Sequence, residues 1–251
     1  MSSLRFLSFI LCLAAVCGCS STSSENVTTQ GISADFDIFA DGSGRTFVTA
    51  ELEVGSGGFG GTSLKLGPSD SLTVRANGIQ KTMTEDASIF GQYRYLASFD
   101  FDDANTLFTV SFNRTNGTSA PNSNVALPDG FNVISPSSSN VFGTGDTIPI
   151  IWSPSGTAIV PRVFVTLTCT LTSGLPTIDV ENISLGSDSG VTSLPVAAII
   201  PIGTLDTSRL CEGTVELSRW RSGNLDPNYG EGGQIDAEHA KGTQFFVNPG
   251  S

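Results

Sequence analysis

Carboxylates are the side chains in this 251-residue chain whose types and spacing could support chemistry, because 24 Asp and Glu stand against 12 Lys and Arg. Asp35, Asp37 and Asp41 lie in the segment DFDIFAD, and a second cluster occupies FDFDD at 99–103. Two carboxylates that face one cleft can hydrolyse a glycosidic bond, and carboxylates joined by loop carbonyl groups can bind Ca²⁺. On a β-strand, however, acids that alternate with Phe predict a solvated acidic face above a buried aromatic one. The segment DGSGRTF lacks the spacing and the distal Glu of an EF-hand, so Ca²⁺ binding stays only an alternative to the solvated strand face. We assign no catalytic residue, no metal ligand and no cofactor.

Nucleophilic catalysis has one candidate base, His239, which is the only histidine of the chain. Asp236 lies three residues before it and could orient the ring in a Ser–His–Asp arrangement. The sequence contains no G-x-S-x-G segment that would expose a nucleophilic serine at the end of a strand. We therefore predict a solvent-exposed loop histidine and a protein that is not an enzyme.

The segment 219–242 stands out because it is rich in turn formers and lies between two strand-like patterns. β-Hairpin connections usually have about 2–5 residues, and long loops at the end of a sandwich often bind partners. Trp, Tyr and Arg are also enriched in binding hot spots. The predicted binding loop comprises Trp220, Arg221, Tyr229, Glu231, Asp236 and His239. In the alternative interpretation, Trp220 packs along a strand and the loop folds over the sheet.

The overall charge excludes one class of partner. With a net charge of −12, the chain offers no cationic surface that could release counterions from the phosphates of a nucleic acid. The 39% of hydrophobic residues, including 16 Phe, is enough for one or two ordinary cores.

The elements that must position these side chains are strands almost throughout. Alternating or β-branched runs recur from Ile32 onward and are separated by Gly, Asn, Asp or Pro, whereas a 3.6-residue apolar stripe is absent from the sequence. Asn77-Gly78 lies between two alternating runs and predicts a two-residue hairpin turn. A stretch of turn formers near 121–134 separates two series of strands. We therefore predict an all-β protein of two tandem antiparallel β-sandwich domains, 32–127 and 128–251.

The chain begins with a short apolar segment that ends in a distinctive motif. The apolar run from Phe6 to Val16 is about half as long as a bilayer-spanning helix. It ends in Val16-Cys17-Gly18-Cys19, which resembles the lipobox of bacterial lipoproteins. The resemblance implies a signal peptide over 1–18, transfer of diacylglycerol to the Cys19 thiol, acylation of the new amine with a fatty acid such as palmitate, and a polar tether over 19–31.

In that family, the residue after the lipidated cysteine acts as a sorting signal that selects the destination membrane. Ser20 resembles the residue found there in lipoproteins that are sorted to the outer membrane. We therefore expect a bacterial outer-membrane protein that is held in the membrane by its N-terminal lipid and faces the periplasm or the cell surface.

The cysteines follow from that processing. Cys12 and Cys17 would be removed with the signal peptide, and Cys19 would carry lipid. Cys169 and Cys211 would remain in a compartment that oxidises thiols, so we predict a disulfide bond between them.

The second series of strands resembles bacterial and fungal immunoglobulin-like modules in the segment FNVISPSSSNVFGTGDTIPIIW, residues 131–152. Such modules have a Pro-flanked first strand, a Gly-Asp-Thr turn and a second strand that ends in Trp, here Trp152. The resemblance implies a seven-stranded sandwich in which Cys169 lies late on the third strand and Cys211 opens the sixth. The predicted disulfide would then join neighbouring strands of one sheet.

Together these patterns predict a lipid-anchored envelope protein that acts as a binding or structural module through its sandwich-end loops, with an envelope protein or a glycan as its partner. Two alternatives stay open. One is a carbohydrate- or peptidoglycan-active hydrolase that uses paired carboxylates, and the other is a surface adhesion module.

Overall fold

The structure is a computed structural model that describes residues 21–55, 61–87 and 92–251. The signal peptide, the Val16-Cys17-Gly18-Cys19 motif and the lipidation of Cys19 therefore lie outside the described residues. Within those ranges the chain forms eighteen strands and three short 3-10 turns, at 24–26, 29–31 and 196–198. No helix in this part of the chain is long and apolar enough to cross a membrane. The all-β prediction is confirmed.

The strands fall into two series along the chain. The first series is β1 Ser21–Ser23, β2 Ile32–Ala40, β3 Thr46–Val54, β4 Thr62–Lys65, β5 Asp70–Ala76, β6 Ile79–Thr82, β7 Thr84–Ala87, β8 Tyr93–Phe99, β9 Leu107–Arg114 and β10 Ala120–Ala126. The second series is β11 Asn132–Ser135, β12 Val141–Gly143, β13 Thr147–Ser153, β14 Arg162–Thr170, β15 Pro176–Ile183, β16 Val191–Pro195, β17 Cys211–Ser222 and β18 Gly233–Asn248.

Local sequence explains most of these strands. In β2, Phe36 and Ile38 are buried on one face of the sheet, whereas Asp35 and Asp37 lie on the opposite face. The predicted hairpin joins β5 to β6, and its two turn residues, Asn77-Gly78, have φ values of 47° and 76°. Positive φ at both positions is what a type I′ turn requires, and Asn-Gly adopts it readily.

The second series forms an immunoglobulin-like sandwich, as predicted. One sheet holds β11, β13 and β16, and the other holds β15, β14, β17 and β18, with β12 pairing in parallel with the end of β18. Trp152 is buried in β13 between these sheets. If the short β12 is left out of the count, the first, second and fifth strands lie in one sheet and the third, fourth, sixth and seventh in the other. The separation of the first, second and fifth strands from the third, sixth and seventh is that of immunoglobulin-like domains.

The predicted disulfide is confirmed. Cys169 lies at the end of β14 and Cys211 at the start of β17, 42 residues apart in sequence, and their sulfur atoms are bonded. The two strands are antiparallel neighbours, and the adjacent pair Thr168 and Glu212 is in register. The bond therefore joins two strands within one sheet.

The first series forms a second sandwich. The four-stranded sheet β10-β9-β5-β6 packs on a sheet that contains β4, β3 and β2, with β8 paired to β3 and β7 paired to β8. Side chains from both sheets, among them Phe36, Leu72 and Phe112, form one hydrophobic cluster.

The two sandwiches share one continuous sheet, which the tandem arrangement did not predict. The β17–β18 hairpin is longer than its own sandwich, and residues 233–239 of β18 run parallel to residues 34–40 of β2. The prediction that 219–242 is a loop is wrong, because only residues 223–232 connect the two strands. The Gly-rich sequence there reflects close backbone contact: Gly233 has a φ of 113°, and a Cβ atom on it would lie 2.0 Å from the carbonyl oxygen of Ala34.

The same hairpin completes the core of the first sandwich. Tyr229, Ile235 and Ala237 are buried in the cluster formed by the first series of strands. The second cluster, which contains Trp152 and Phe245, draws its buried members from residues 131–247. The halves have separate cores but are joined by ordered strands rather than by a linker alone.

The predicted polar tether over 19–31 is wrong for residues 21–31, which are docked on the first sandwich. β1 pairs in parallel with β4, and Ser24 is fully buried, with its hydroxyl donating to Asp70 at 2.7 Å. The buried guanidinium of Arg114 donates to the carbonyl oxygens of Ser24 and Val27 at 2.6 and 2.8 Å. The hydroxyl of Thr29 donates to the carbonyl oxygen of Thr118. The Ser- and Thr-rich segment therefore satisfies buried polar groups instead of extending into solvent.

Candidate ligand-binding groove on the shared sheet

The outer face of the shared sheet carries three rows of side chains that cross β3, β2, β18 and β17. Cross-strand register aligns each row, because residues opposite each other on neighbouring strands point to the same face. The first row is Phe47, Phe39, Glu238 and Trp220, the second is Thr49, Asp37, Asp236 and Ser222, and the third is Glu51, Asp35 and Gln234. An aromatic row thus lies beside a row of carboxylates.

A groove of about 140 Å³ opens between these rows. Its lining residues are Asp37, Ile38, Phe39, Trp220, Asp236 and Glu238. Phe39 and Trp220 are 38% and 37% exposed and form its rim, whereas Asp236 is only 5% exposed and lies at its floor. The groove has room for a small polar head group between aromatic rings and carboxylates.

The carboxylates of the groove are not neutralised by any cation within the described part of the chain. Of the acids in the three rows, Glu51 forms an ion pair, with the Arg94 Nε atom 2.8 Å from its Oε1 atom. No described salt bridge involves Asp35, Asp37, Asp236 or Glu238. The Oδ1 atom of Asp236 is buried and has no hydrogen-bond partner in the described structure.

Burial and like charge act together on this surface. Burial raises the pKa of Asp37, and the charges of Asp236, Asp35, Glu51 and Glu238 raise it further. Burial likewise raises the pKa of Asp35, where a backbone hydrogen bond from Gln234 opposes the charges of Glu51 and Asp236. Like charges opposite each other destabilise a sheet, so an incoming cation would relieve a repulsion that the fold tolerates.

Two rings of the aromatic row are covered by arginine side chains of the same chain. The guanidinium of Arg162 lies 5.0 Å from the ring centroid of Trp220, and that of Arg45 lies 5.2 Å from the centroid of Phe47. A guanidinium group at this distance is attracted by the ring quadrupole. Because each of these rings has one face covered, the row offers less open aromatic surface to a sugar than its exposure suggests.

The predicted site residues separate into two groups. Trp220 and Asp236 line the groove, and Glu231 lies exposed in the connection between β17 and β18. The guanidinium of Arg221 instead donates to Asn105 Oδ1 and to the carbonyl oxygen of Ala126, both at 3.3 Å, and so ties the hairpin to the first sandwich.

Tyr229 and His239 face inward, away from the groove. The Tyr229 ring packs against Phe36 with their centroids 6.0 Å apart, and burial raises the pKa of its hydroxyl group. Their role as binding-loop residues was a prediction that assumed an exposed segment. The structure brings only Trp220 and Asp236 together.

The exposed loop histidine predicted at position 239 is wrong. His239 is 4% exposed, lies on β18 and packs near Phe131, with the ring centroids 5.9 Å apart. Burial lowers its pKa, the charge of Asp102 opposes that shift, and Lys241 and Arg219 reinforce it. Burial therefore favours the neutral form of the ring, which is part of the seam between the halves.

A buried ion pair at the same seam has no counterpart in the sequence-based predictions. Arg219 and Asp188 are both fully buried, with Nη2 2.8 Å from Oδ2. Arg219 also donates to the carbonyl oxygens of Asp129 and Gly130, at 3.1 and 3.2 Å. Asp129 and Gly130 lie in the segment that connects the two sandwiches, so the Arg219–Asp188 ion pair holds that segment in place.

The second acidic cluster serves loop structure. Asp102 accepts a hydrogen bond from the Gly44 amide at 2.9 Å, and Asp100 lies 3.9 Å from the Nε atom of Arg45. Across residues 21–55, 61–87 and 92–251, no group of three or more His, Cys, Asp or Glu side chains is placed to hold a metal ion.

Asp35 and Asp37 belong to the site, although their sequence pattern indicated only a solvated strand face. The pattern D-x-D in β2 and the pattern D-x-E in β18 become one surface only when the two strands pair. A polar, alternating pattern in a segment otherwise rich in glycine was the signal that β18 begins near residue 233.

Comparison with known proteins adds little beyond the fold. No known protein family and no curated protein matches the sequence. Among solved structures, the FN1–FN3 domains of chicken CNTN1 align at 10% identity over 88% of this chain and 68% of theirs, with a TM-score of 0.31. A titin fragment aligns at 13% identity over 82% of this chain and 95% of its own, with a TM-score of 0.25. The Yersinia pseudotuberculosis adhesin InvE aligns at 13% identity over 87% and 59%, with a TM-score of 0.23. Likenesses this distant carry no argument, and the immunoglobulin-like assignment depends on the strand order itself.

Proposed function

We propose that this protein is a lipid-anchored module of the bacterial outer membrane that acts by binding an envelope component in the groove between Phe39 and Trp220. The observation that carries the proposal is the buried, unpartnered Oδ1 atom of Asp236 at the floor of an otherwise unneutralised acidic surface. Buried polar groups usually have hydrogen-bond partners, so a buried carboxylate oxygen without one, in the lining of a groove, is explained by a ligand that supplies the donor. Rigid strands rather than loops hold this surface.

The lipobox-like motif supports the location, and the docked N-terminal segment determines the reach. If Cys19 carries the lipid, only Ser20 separates it from β1, which begins at Ser21. The body would then lie directly against the membrane rather than at the end of a flexible spacer. Its partner would be a component close to that membrane surface.

The anchor is tested with Cys19→Ala. Parent protein expressed in a bacterial host should incorporate radiolabelled palmitate and sediment with outer membranes, and the variant should do neither. Equal labelling of the two proteins would contradict the proposed lipidation. Palmitate on the parent protein, but sedimentation with the inner membrane, would contradict the location alone.

The binding surface is tested by cross-linking in cells. A photoreactive residue at Ser222, which is exposed in the carboxylate row, should capture a defined envelope component. The same residue at Thr207, exposed in the second sandwich and outside the three rows, is the matched control. Capture from Ser222 that persists in an Asp37→Asn, Asp236→Asn variant would show that the groove is not the binding surface.

One observation favours a second function, hydrolysis of a glycan by paired carboxylates. Burial and the neighbouring acids raise the pKa of Asp37, as a general acid requires, and Asp236 lies opposite it on the next strand. This function predicts release of reducing sugar from purified peptidoglycan, and loss of that release in Asp37→Asn. Absence of release from the parent protein would leave the binding function alone.

A further inference from the structure

The groove contains a ring of acids and aromatic side chains but no cation. Asp37, Asp236 and Glu238 line it, and none of them forms a described ion pair. Where a cation is present on this face, it is matched to a partner: Arg94 binds Glu51, and Arg162 covers Trp220. The unneutralised part of the surface therefore coincides with the groove.

We infer that this groove receives the positively charged side chain of a lysine or arginine from a partner polypeptide, which donates to one or more of the carboxylates of Asp37, Asp236 and Glu238 between the rings of Phe39 and Trp220. The inference rests on the proposed binding function and specifies the chemistry of its ligand. An ammonium or guanidinium group donates N–H bonds to carboxylates and is attracted by aromatic faces, so both components of the lining act on the same group.

Asp236 makes the arrangement specific. This residue is only 5% exposed, and its Oδ1 atom accepts no hydrogen bond. An N–H donor that enters the groove from a partner would supply the hydrogen bond that this atom lacks. A group without a donor, such as the chain of an aliphatic residue, would leave it unsatisfied.

The size and charge of the groove disfavour other occupants. The described carboxylates do not form a set that could hold a metal ion, because such a set needs three or more ligands within coordination distance of one point. An anionic partner would meet the four carboxylates of Asp35, Asp37, Asp236 and Glu238. A volume of about 140 Å³ accommodates a side-chain head group rather than a folded element.

The chain also disfavours a second copy of itself as the partner. Its net charge is −12, so two copies repel each other at long range before any local contact forms. A basic segment of another envelope protein has the opposite charge and is attracted by the same field.

The test uses the fluorescence of Trp220 in the full chain purified in detergent micelles. The probes are the capped tripeptides acetyl-Gly-Lys-Gly-amide and acetyl-Gly-Arg-Gly-amide, with acetyl-Gly-Gln-Gly-amide as the neutral control. The other tryptophan, Trp152, is buried and its Nε1 atom donates to Asp188 at 2.7 Å, so its emission should stay constant. A Trp220→Phe variant should show no change with any probe.

The expected result is a saturable change with a basic tripeptide and none with the Gln tripeptide at equal ionic strength. Removing one charge-assisted hydrogen bond with Asp236→Asn should weaken binding roughly 10- to 100-fold. Because Asp236 is buried, Asp37→Asn serves as a second variant at a position more accessible to solvent than Asp236, and it should also weaken binding. Glu181→Gln, an equal change of charge on the exposed strand β15, should leave binding unchanged.

Three results would overturn the inference. They are equal responses to the Lys, Arg and Gln tripeptides, a saturable response to CaCl₂ that competes with the basic tripeptides, and the absence of any saturable response. Failure of capture from Ser222 in cells, with tripeptide binding intact, would contradict the envelope partner and retain the ligand chemistry. Capture from Ser222 without tripeptide binding would contradict the ligand chemistry and retain the envelope partner.

Discussion

Replacing Asp188 with asparagine is the sharpest perturbation of the seam between the two sandwiches. The carboxylate accepts hydrogen bonds from Trp152 Nε1 at 2.7 Å, from the Thr157 hydroxyl at 2.7 Å and from Arg219 Nη2 at 2.8 Å. Asn has nearly the same shape but no charge, and its amide nitrogen would place a donor against the donors of Thr157 or Arg219. The substitution therefore leaves the buried Arg219 guanidinium without a counter-charge.

The expected loss follows from complete burial of both partners. Both side chains are 0% exposed, so solvent does not screen the pair. Removing one partner of such a pair typically costs about 3–5 kcal/mol of unfolding free energy. For a protein of this size, that loss lowers the midpoint of thermal unfolding by roughly 6–20 °C.

The same pair makes a pH-dependent contribution whose sign can be stated. Burial alone would raise the pKa of Asp188, but hydrogen bonds from Trp152 and Thr157 and the charge of Arg219 together hold it below its usual range. A folded-state pKa below the unfolded-state value stabilises the protein above the unfolded-state value, about 3.9 for Asp. That stabilisation is lost as the pH falls through the folded-state pKa, and Asp188→Asn should remove this part of the acid sensitivity.

Chemical denaturation of the parent protein and the variant at pH 7, together with thermal scans, measures the loss. Glu85→Gln is the matched control, because the ion pair of Glu85 with Lys65 is exposed and spans 3.8 Å, and exposed pairs contribute little. The control should unfold at the same midpoint as the parent. A loss below about 1 kcal/mol for Asp188→Asn, or equal losses for the two variants, would refute the reasoning that the buried charge is what the pair compensates.

Three further predictions concern the seam, the shared sheet and the disulfide. Burial lowers the pKa of His239 in the folded protein, so as the pH falls the unfolded chain takes up this proton first, below pH about 6.5. The free energy of unfolding should therefore fall from pH 7 to pH 5, by at most about 1.4 kcal/mol per pH unit. Denaturation midpoints should show a smaller fall in the His239→Gln variant. Gly233→Ala should cost more than about 2 kcal/mol, because its Cβ atom would lie 2.0 Å from the Ala34 carbonyl oxygen at a φ of 113°, and hydrogen exchange should show lost protection in both β2 and β18. A Cys169→Ala, Cys211→Ala variant should lose about 4 kcal/mol in the chain-entropy account of a 42-residue loop, and the reduced parent protein should lose a similar amount in guanidinium unfolding.

The strands and the hairpin turn could be predicted because their signals are local. Alternation over β2, β3 and β14 places apolar residues on one face wherever the strand lies in the sheet. Asn77-Gly78 defines its turn without reference to the rest of the chain. The disulfide could be predicted because, if residues 1–18 are removed as a signal peptide and Cys19 is lipidated, two cysteines remain to pair.

The shared sheet could not be predicted in this way, because β2 and β18 are about 200 residues apart and no short pattern specifies their pairing. Without that pairing, the acids around residue 236 and those around residue 36 belong to different surfaces. Trp220 and Asp236 were predicted to be binding residues on the assumption that they lie in a loop, whereas the structure places them on β17 and β18 beside residues of β2. The inward orientation of Tyr229 and His239 depends on the same register.

The prediction of a polar tether at the N-terminus was wrong for a different physical reason. A run of Ser and Thr is typical of a solvated spacer, and composition alone does not reveal a buried cation that needs acceptors. That cation is Arg114, whose guanidinium donates to the carbonyl oxygens of Ser24 and Val27, about 90 positions earlier in the chain.

The parallel pairing of β2 with β18 also sets the order in which the molecule can be completed during synthesis. The first sandwich lacks Tyr229, Ile235 and Ala237, as well as the neighbour of β2, until nearly the whole chain has been made. Until then β2 has an open edge, and such edges pair with other chains when they are left exposed. The N-terminal half therefore cannot mature ahead of the C-terminal half, and a chain that is truncated before residue 233 loses the integrity of both sandwiches rather than of one.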